Sequence, residues 1–302
     1  MAVSMEAYSI NLPTELEQLI FEFAAQCWPR MIPKFMLVAW RIKIWLEPLL
    51  YKTIIVAQTP SSHGEKLSSE GGSLPGPITH SSLYAVMIKR RDLLQKSARN
   101  LYLSHDDPDI ELDILSACPN VNNLWLAAGT GVTNITLSLK RLHCTLKALF
   151  GFDPPNFTLP LFSSITHLEI FNVPLDGIDV VAWSALTRLP HLTHLAFNDD
   201  DYLSMCQTIV PNWNSLRALA LIIYTEDAFK SLSDDNPIFN DLAQDPRFVA
   251  VICPEYLSDW VRGAQTGRDY WSRAEDFIAK RRLCEVDLLD CCLPEYEDDE
   301  DD

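Results

Sequence analysis

The sequence predicts an α/β fold: a short N-terminal helical segment, an irregular array of strand–helix repeats wound into a solenoid, and a C-terminal helical cap. Three observations lead there. Leucine-rich runs of L-x-x-L-x-L character recur along the middle of the chain. Stretches with apolar residues three and four apart flank that array on both sides. The 302 residues, 48% hydrophobic and 22% charged, have the composition of a folded protein and are long for one compact domain.

The first element is a helix beginning near Asn11-Leu12-Pro13-Thr14-Glu15. Asn11 or the turn beside Pro13 closes its start, proline suits the first turn, and Glu15 and Glu17 favour the positive end of the helix dipole. Leu12, Leu16, Leu19, Ile20 and Phe23 fall on one face. Pro29 and Pro33 end this helix, and a second helical stretch runs from about Pro33 to Leu50, with Pro48 ending it near Trp45–Glu47. Thr53-Ile54-Ile55-Val56 is extended in character. So short a unit has too few apolar residues to stand alone and is expected to dock on a neighbour.

Leu12-Pro13-x-Glu15-Leu16-x-x-x-Ile20-Phe21, Leu37-Val38-Ala39-Trp40-Arg41, Trp45 and Leu49-Leu50-Tyr51 resemble the F-box-like segments of mushroom-forming (basidiomycete) fungi. The resemblance covers about 45 residues of short, mostly apolar motifs within a segment placed at 8–57. It implies docking on the Skp-type adaptor of a cullin–RING ubiquitin ligase, with Leu12, Pro13, Leu16, Ile20, Phe21, Val38 and Trp45 as the adaptor-binding residues. The bland alternative is that the same side chains pack the first repeat as a cap, which repeat arrays require.

A Ser/Gly/Pro-rich loop is expected over 58–77. The array follows over 78–254. Its instances are centred on Leu101, Leu124, Leu149, Leu168, Leu195 and Leu219, with a weaker one at Phe248–Val251, spaced 19 to 30 residues apart. Most of these spacings fall in the range of about 20–29 residues of a leucine-rich repeat, and an irregular leucine-rich-repeat solenoid is expected. Alternate residues of each strand point inward, and their neighbours Tyr102, Trp125, His167, Glu169, His194 and Asn198 are expected on an open concave face that holds a partner protein. Ile110–Ala117 and Val180–Leu189 read as outer helices.

Two helices, about Tyr256–Ala264 and Arg268–Leu283, form the expected cap over 255–284. Trp260, Tyr270, Trp271, Ala274, Phe277 and Ile278 make an apolar face, and Lys280-Arg281-Arg282 suits a helix C-terminus. Residues 285–302 carry ten acidic and no basic side chains and read as a solvated, disordered tail.

The formal net charge of −17 opposes nucleic acid and anionic membranes as partners. No apolar run reaches the length of a bilayer span, no secretory signal is visible, and the eight cysteines form no C-x-x-C pair. An intracellular protein, cytoplasmic or nuclear, with reduced thiols is expected. His191-x-x-His194 beside Asp199-Asp200-Asp201 is the most metal-like cluster, but residues three apart on a strand face opposite sides. No nucleophile, phosphate or zinc-protease motif occurs. The expectation is therefore a non-catalytic interaction protein without cofactor or metal. It is either the substrate-recognition subunit of a cullin–RING ligase, for a protein the sequence does not name, or a repeat scaffold with no ligase role.

Overall fold

The computed structural model describes residues 12–57, 80–105, 107–127, 137–151, 153–172, 180–287 and 289–295. Among the described residues nine strands form one sheet: β1 (Thr53–Ala57), β2 (Asn100–Ser104), β3 (Asn123–Leu126), β4 (Arg141–Thr145), β5 (His167–Phe171), β6 (His194–Phe197), β7 (Ala218–Ile223), β8 (Phe248–Ile252) and β9 (Cys292–Leu293). They lie side by side in chain order, and every neighbouring pair is parallel.

The helices are α1 (Thr14–Cys27), α2 (Ile32–Phe35), α3 (Trp40–Leu46), α4 (His80–Lys89), α5 (Arg91–Ser97), α6 (Pro108–Ala117) and α7 (Leu146–Phe150). After them come α8 (Val180–Trp183), α9 (Leu203–Ile209), α10 (Glu226–Asp235), α11 (Pro237–Leu242), α12 (Tyr256–Thr266) and α13 (Tyr270–Arg282). Several begin where a short polar side chain satisfies the free amides of the first turn. Asp107 accepts from Asp109, Asn236 from Ile238, and Asp269 from Ser272. Gly267, at φ 78°, closes α12 in the left-handed conformation that glycine adopts without a Cβ penalty.

The register explains the sheet. Ile54, Leu101, Leu124, Leu142, Leu168, Leu195 and Leu219 are successive cross-strand partners, and Val56, Leu103, Leu126, Cys144, Ile170, Phe197 and Leu221 form the row two residues on. Both rows are buried in the principal core, beneath the connecting helices on one side of the sheet. The intervening residues necessarily point to the other side.

That second side overturns the expected architecture. An irregular leucine-rich-repeat solenoid would leave it open and close its end with the last two helices. Instead α12 and α13 lie across it, and a second core forms there. Trp125, Phe171, Ala196, Ala218, Ala220 and Val249 from the sheet pack with Tyr256, Trp260, Tyr270, Trp271 and Ile278 from the helices. The molecule is an α/β fold whose all-parallel sheet is covered on both faces. The physical reason is area. The large aromatics of α12 and α13 need a broad surface to leave water, and the alanines of β6 and β7 provide a shallow floor for them.

Three further expectations change. The fourth strand is Arg141–Thr145, and the Leu146–Phe150 run expected to be a strand is the helix that follows it, capped by Thr145. The extended stretch Thr53–Ala57, expected within the N-terminal segment, is the first strand of the sheet. The stretch expected to be a disordered tail contains β9, with Cys291 and Leu293 buried. Residues 58–77 and the terminal run 296–302 lie outside the described residues.

Candidate functional site

The N-terminal helices carry their own small core of Ala25, Ile32, Ile42 and Leu46, against which Phe21, Phe35, Trp45, Leu49 and Leu50 pack. α1 ends at Cys27, just before Trp28-Pro29, because a residue preceding proline is pushed out of the helical region. The expected continuous second helix is broken. α2 stops at Phe35, and Ala39 is extended (φ −158°, ψ 154°) before α3 begins. Leu37 and Val38 sit on that break, 86% and 63% exposed.

α1 is turned outward. Leu16, Leu19, Ile20 and Phe23 recur along one helical stripe, Leu12 lies just before the helix, and each is roughly half or more exposed. On its other side Glu17 accepts two 2.7 Å hydrogen bonds from the Arg41 guanidinium, fixing α1 against α3. Hydrogen bonding to Arg41 holds the Glu17 carboxyl below its ordinary range. Of the residues expected to bind an adaptor, Leu12, Pro13, Leu16, Ile20 and Val38 are exposed. Phe21 and Trp45 turn into the small core instead, Phe21 packing edge-on against Phe35 at 6.1 Å. Trp40, part of the quoted motif but not among the expected adaptor-binding residues, and Ile44 add exposed apolar area. Their i, i+4 spacing on α3 was the available signal.

The residues expected on an open concave face are arranged differently. Tyr102, Trp125, His167, Glu169 and His194 are brought together on the second side of the sheet, and the chain's own α12 and α13 cover them. The Trp125 ring meets Tyr102, Tyr256 and Trp260 edge-on, at 4.9, 4.9 and 5.9 Å. Glu169, 1% exposed, lies against His143 and accepts a hydrogen bond from the Tyr270 hydroxyl. His143 Nδ1 is 3.0 Å from the Tyr256 hydroxyl, and His194 Nε2 is 2.9 Å from Glu275. Arg141 pairs with Asp269, and Trp260 donates to Asn123. Asn198 is separate, at the strand ends, where it accepts from the Asn172 amide and donates to the Tyr224 hydroxyl.

Burial sets the protonation of this interface. It pushes the His167 and His194 imidazoles below their ordinary value, against the pull of Glu275 on His194. It drives the Tyr256 and Tyr270 phenols well up, reinforced by the charge of Glu169. The Asp259 carboxyl is raised by burial, opposed by the Tyr270 amide and by Arg262 and Arg273. Aromatic rings cover most of these groups, an arrangement that fastens two helices to a sheet and leaves Glu275 half exposed at its margin.

The histidines of the metal-like cluster part company: His191 is exposed in the loop before β6, while His194 is buried. Among the described residues no three side chains are grouped as metal ligands, and no helix is long and apolar enough to cross a membrane. No family model matches the sequence, and no curated protein matches it either.

Proposed function

We propose that the chain is a non-catalytic protein–protein interaction subunit whose N-terminal helices dock on a Skp-type adaptor, bringing a bound protein to a cullin–RING ubiquitin ligase. The observation that carries this reading is the outward stripe of α1. A surface helix ordinarily turns its apolar face to the core, yet here Leu12, Leu16, Leu19, Ile20 and Phe23 face solvent, joined by the exposed Leu37, Val38 and Trp40. A capping role alone would bury those side chains against the first strand and its helices. The stripe therefore favours docking over capping, and the motif resemblance of residues 12–51 supplies the identity of the docking partner.

The protein to be modified would bind elsewhere than on the second side of the sheet, since α12 and α13 already fill it. The chain's contribution is positioning, with the chemistry on other subunits.

The test is a pull-down with purified Skp-type adaptor. Wild type is compared with a Leu16→Ala/Ile20→Ala variant shown by circular dichroism to be folded. Capture of the wild type and its loss in the variant is expected. A wild-type chain that the adaptor does not retain at micromolar concentration would sink the reading.

A further inference from the structure

A cleft of about 540 Å3 opens where the N-terminal helices meet the edge of the sheet. Its walls are apolar: Ala25 and Ile32 from the helical core, Leu49 and Leu50 from the turn leading into β1. Gln265, near the end of α12, completes it from the other side of the sheet edge. The volume falls within the range of small-molecule sites, and the combination of apolar walls with a few polar groups is their usual chemistry.

The charges are what give the cleft a specificity. Arg30 and Lys52 both line it, and no acidic residue does. In a chain with 41 acidic and 24 basic residues, that is a local reversal of sign. Several cations around it are paired. Arg41 is held by Glu17, Lys43 lies near Glu47, and Arg90 reaches back to the same Glu47. Arg30 and Lys52 have no such partner among the described residues. A cation left unpaired beside an apolar wall offers a charge-assisted hydrogen bond to any anion that can bring its own apolar body.

We propose that this cleft binds an anionic amphiphile: one aliphatic chain lying along Ala25, Ile32, Leu49 and Leu50, with a single carboxylate or phosphate head held by Arg30 and Lys52. The site is separate from the α1 stripe, none of whose exposed side chains line it. It sits at the seam between the N-terminal helices, β1 and α12, so an occupant touches all three at once.

The experiment is calorimetric titration of the full chain with dodecanoate and, separately, dodecyl phosphate, both below their micellar concentrations. Saturable binding of either anion supports the proposal, and the tighter of the two identifies the head group. Octanoate is expected to bind on the order of 100-fold more weakly than dodecanoate, from the loss of four methylenes. An Arg30→Glu/Lys52→Glu variant, altered only at exposed side chains, is expected to lose about 10- to 100-fold in affinity. A control reversing Lys89 and Lys96, neither of which lines the cleft, keeps wild-type affinity. Failure of both anions to bind, equal binding of neutral dodecanol, or undiminished binding by the Arg30→Glu/Lys52→Glu variant would overturn it. Adaptor capture in the pull-down is read independently of all three outcomes.

Discussion

His167 and His194 stack face to face, ring centroids 4.0 Å apart and planes 5° from parallel. They are register partners on β5 and β6, and the Trp271 indole stands edge-on to both, at 5.4 and 5.3 Å. The Thr166 and Thr193 hydroxyls, each 2.9 Å or less from the neighbouring Nδ1, orient the two rings alike. Two imidazolium ions would repel each other in this geometry, and burial pushes both rings toward the neutral form.

The first prediction follows from that neutrality. The folded-state value of His167 lies below its ordinary 6.5, so the unfolded chain binds the proton first as pH falls. Stability is therefore retained above 6.5 and lost below it, at about 1.4 kcal/mol per pH unit for this one residue. Urea midpoints measured between pH 7 and pH 5 should fall for wild type, and by less for His167→Gln. Parallel curves for the two proteins would show that His167 takes up its proton in the folded state.

Trp271 is 1% exposed and anchors α13 to the alanines of β6 and β7. Trp271→Ala leaves a cavity that the rigid sheet cannot collapse into. A cost of about 3–5 kcal/mol is expected in chemical denaturation. Dye binding to newly exposed apolar surface should accompany it. A loss below about 1 kcal/mol would mean that α13 contributes little to the fold.

Glu169 and Tyr270 are coupled across 101 residues of chain. Tyr270→Phe removes the hydroxyl that satisfies a buried carboxylate, at about 1–3 kcal/mol. The same substitution in a Glu169→Gln background removes much less, because no charge is left unpaired. A double-mutant cycle should therefore return a coupling on the order of 1 kcal/mol or more. Strict additivity would show that the two side chains do not depend on each other.

Gly263, inside α12, faces the start of α13. A Cβ built there would lie 2.5 Å from the Asp269 Cβ. Alanine gains about 1 kcal/mol of helix propensity. The clash falls on the side chain that caps α13 and pairs with Arg141, so it cannot be relieved by swinging a flexible tip away. Overpacking of about 1–3 kcal/mol exceeds the propensity gain in most of its range. Gly263→Ala is expected to lower the melting temperature, and an increase would mean that the two helices separate readily.

Much of the sheet was legible as pattern. Leu101/Leu103, Leu124/Leu126, Leu168/Ile170, Leu195/Phe197 and Leu219/Leu221 alternate with their neighbours, and a period of two is the mark of a strand. β4 escaped because Arg141-Leu142-His143-Cys144-Thr145 carries its polar residues on the second face, and the leucines of the helix after it offered a stronger false match. The break at Met36–Ala39 escaped because no proline or glycine marks it. The outward stripe of α1 was visible as a stripe, but its direction was not.

What the sequence by itself determined is therefore the set of apolar faces: the strand rows, the amphipathic stripe of α1, and the aromatic face of α12 and α13. What only the tertiary structure decided is what each face meets. α12 and α13 could have closed the end of the array as a cap, and they lie instead across the second side of the sheet, sealing Trp125, Glu169 and His194 beneath them. The physical reason is that periodicity is a local property, set by the geometry of consecutive residues. The partner of a face is set by shape and charge matched between residues such as Glu169 and Tyr270, or Arg141 and Asp269, which are more than a hundred positions apart.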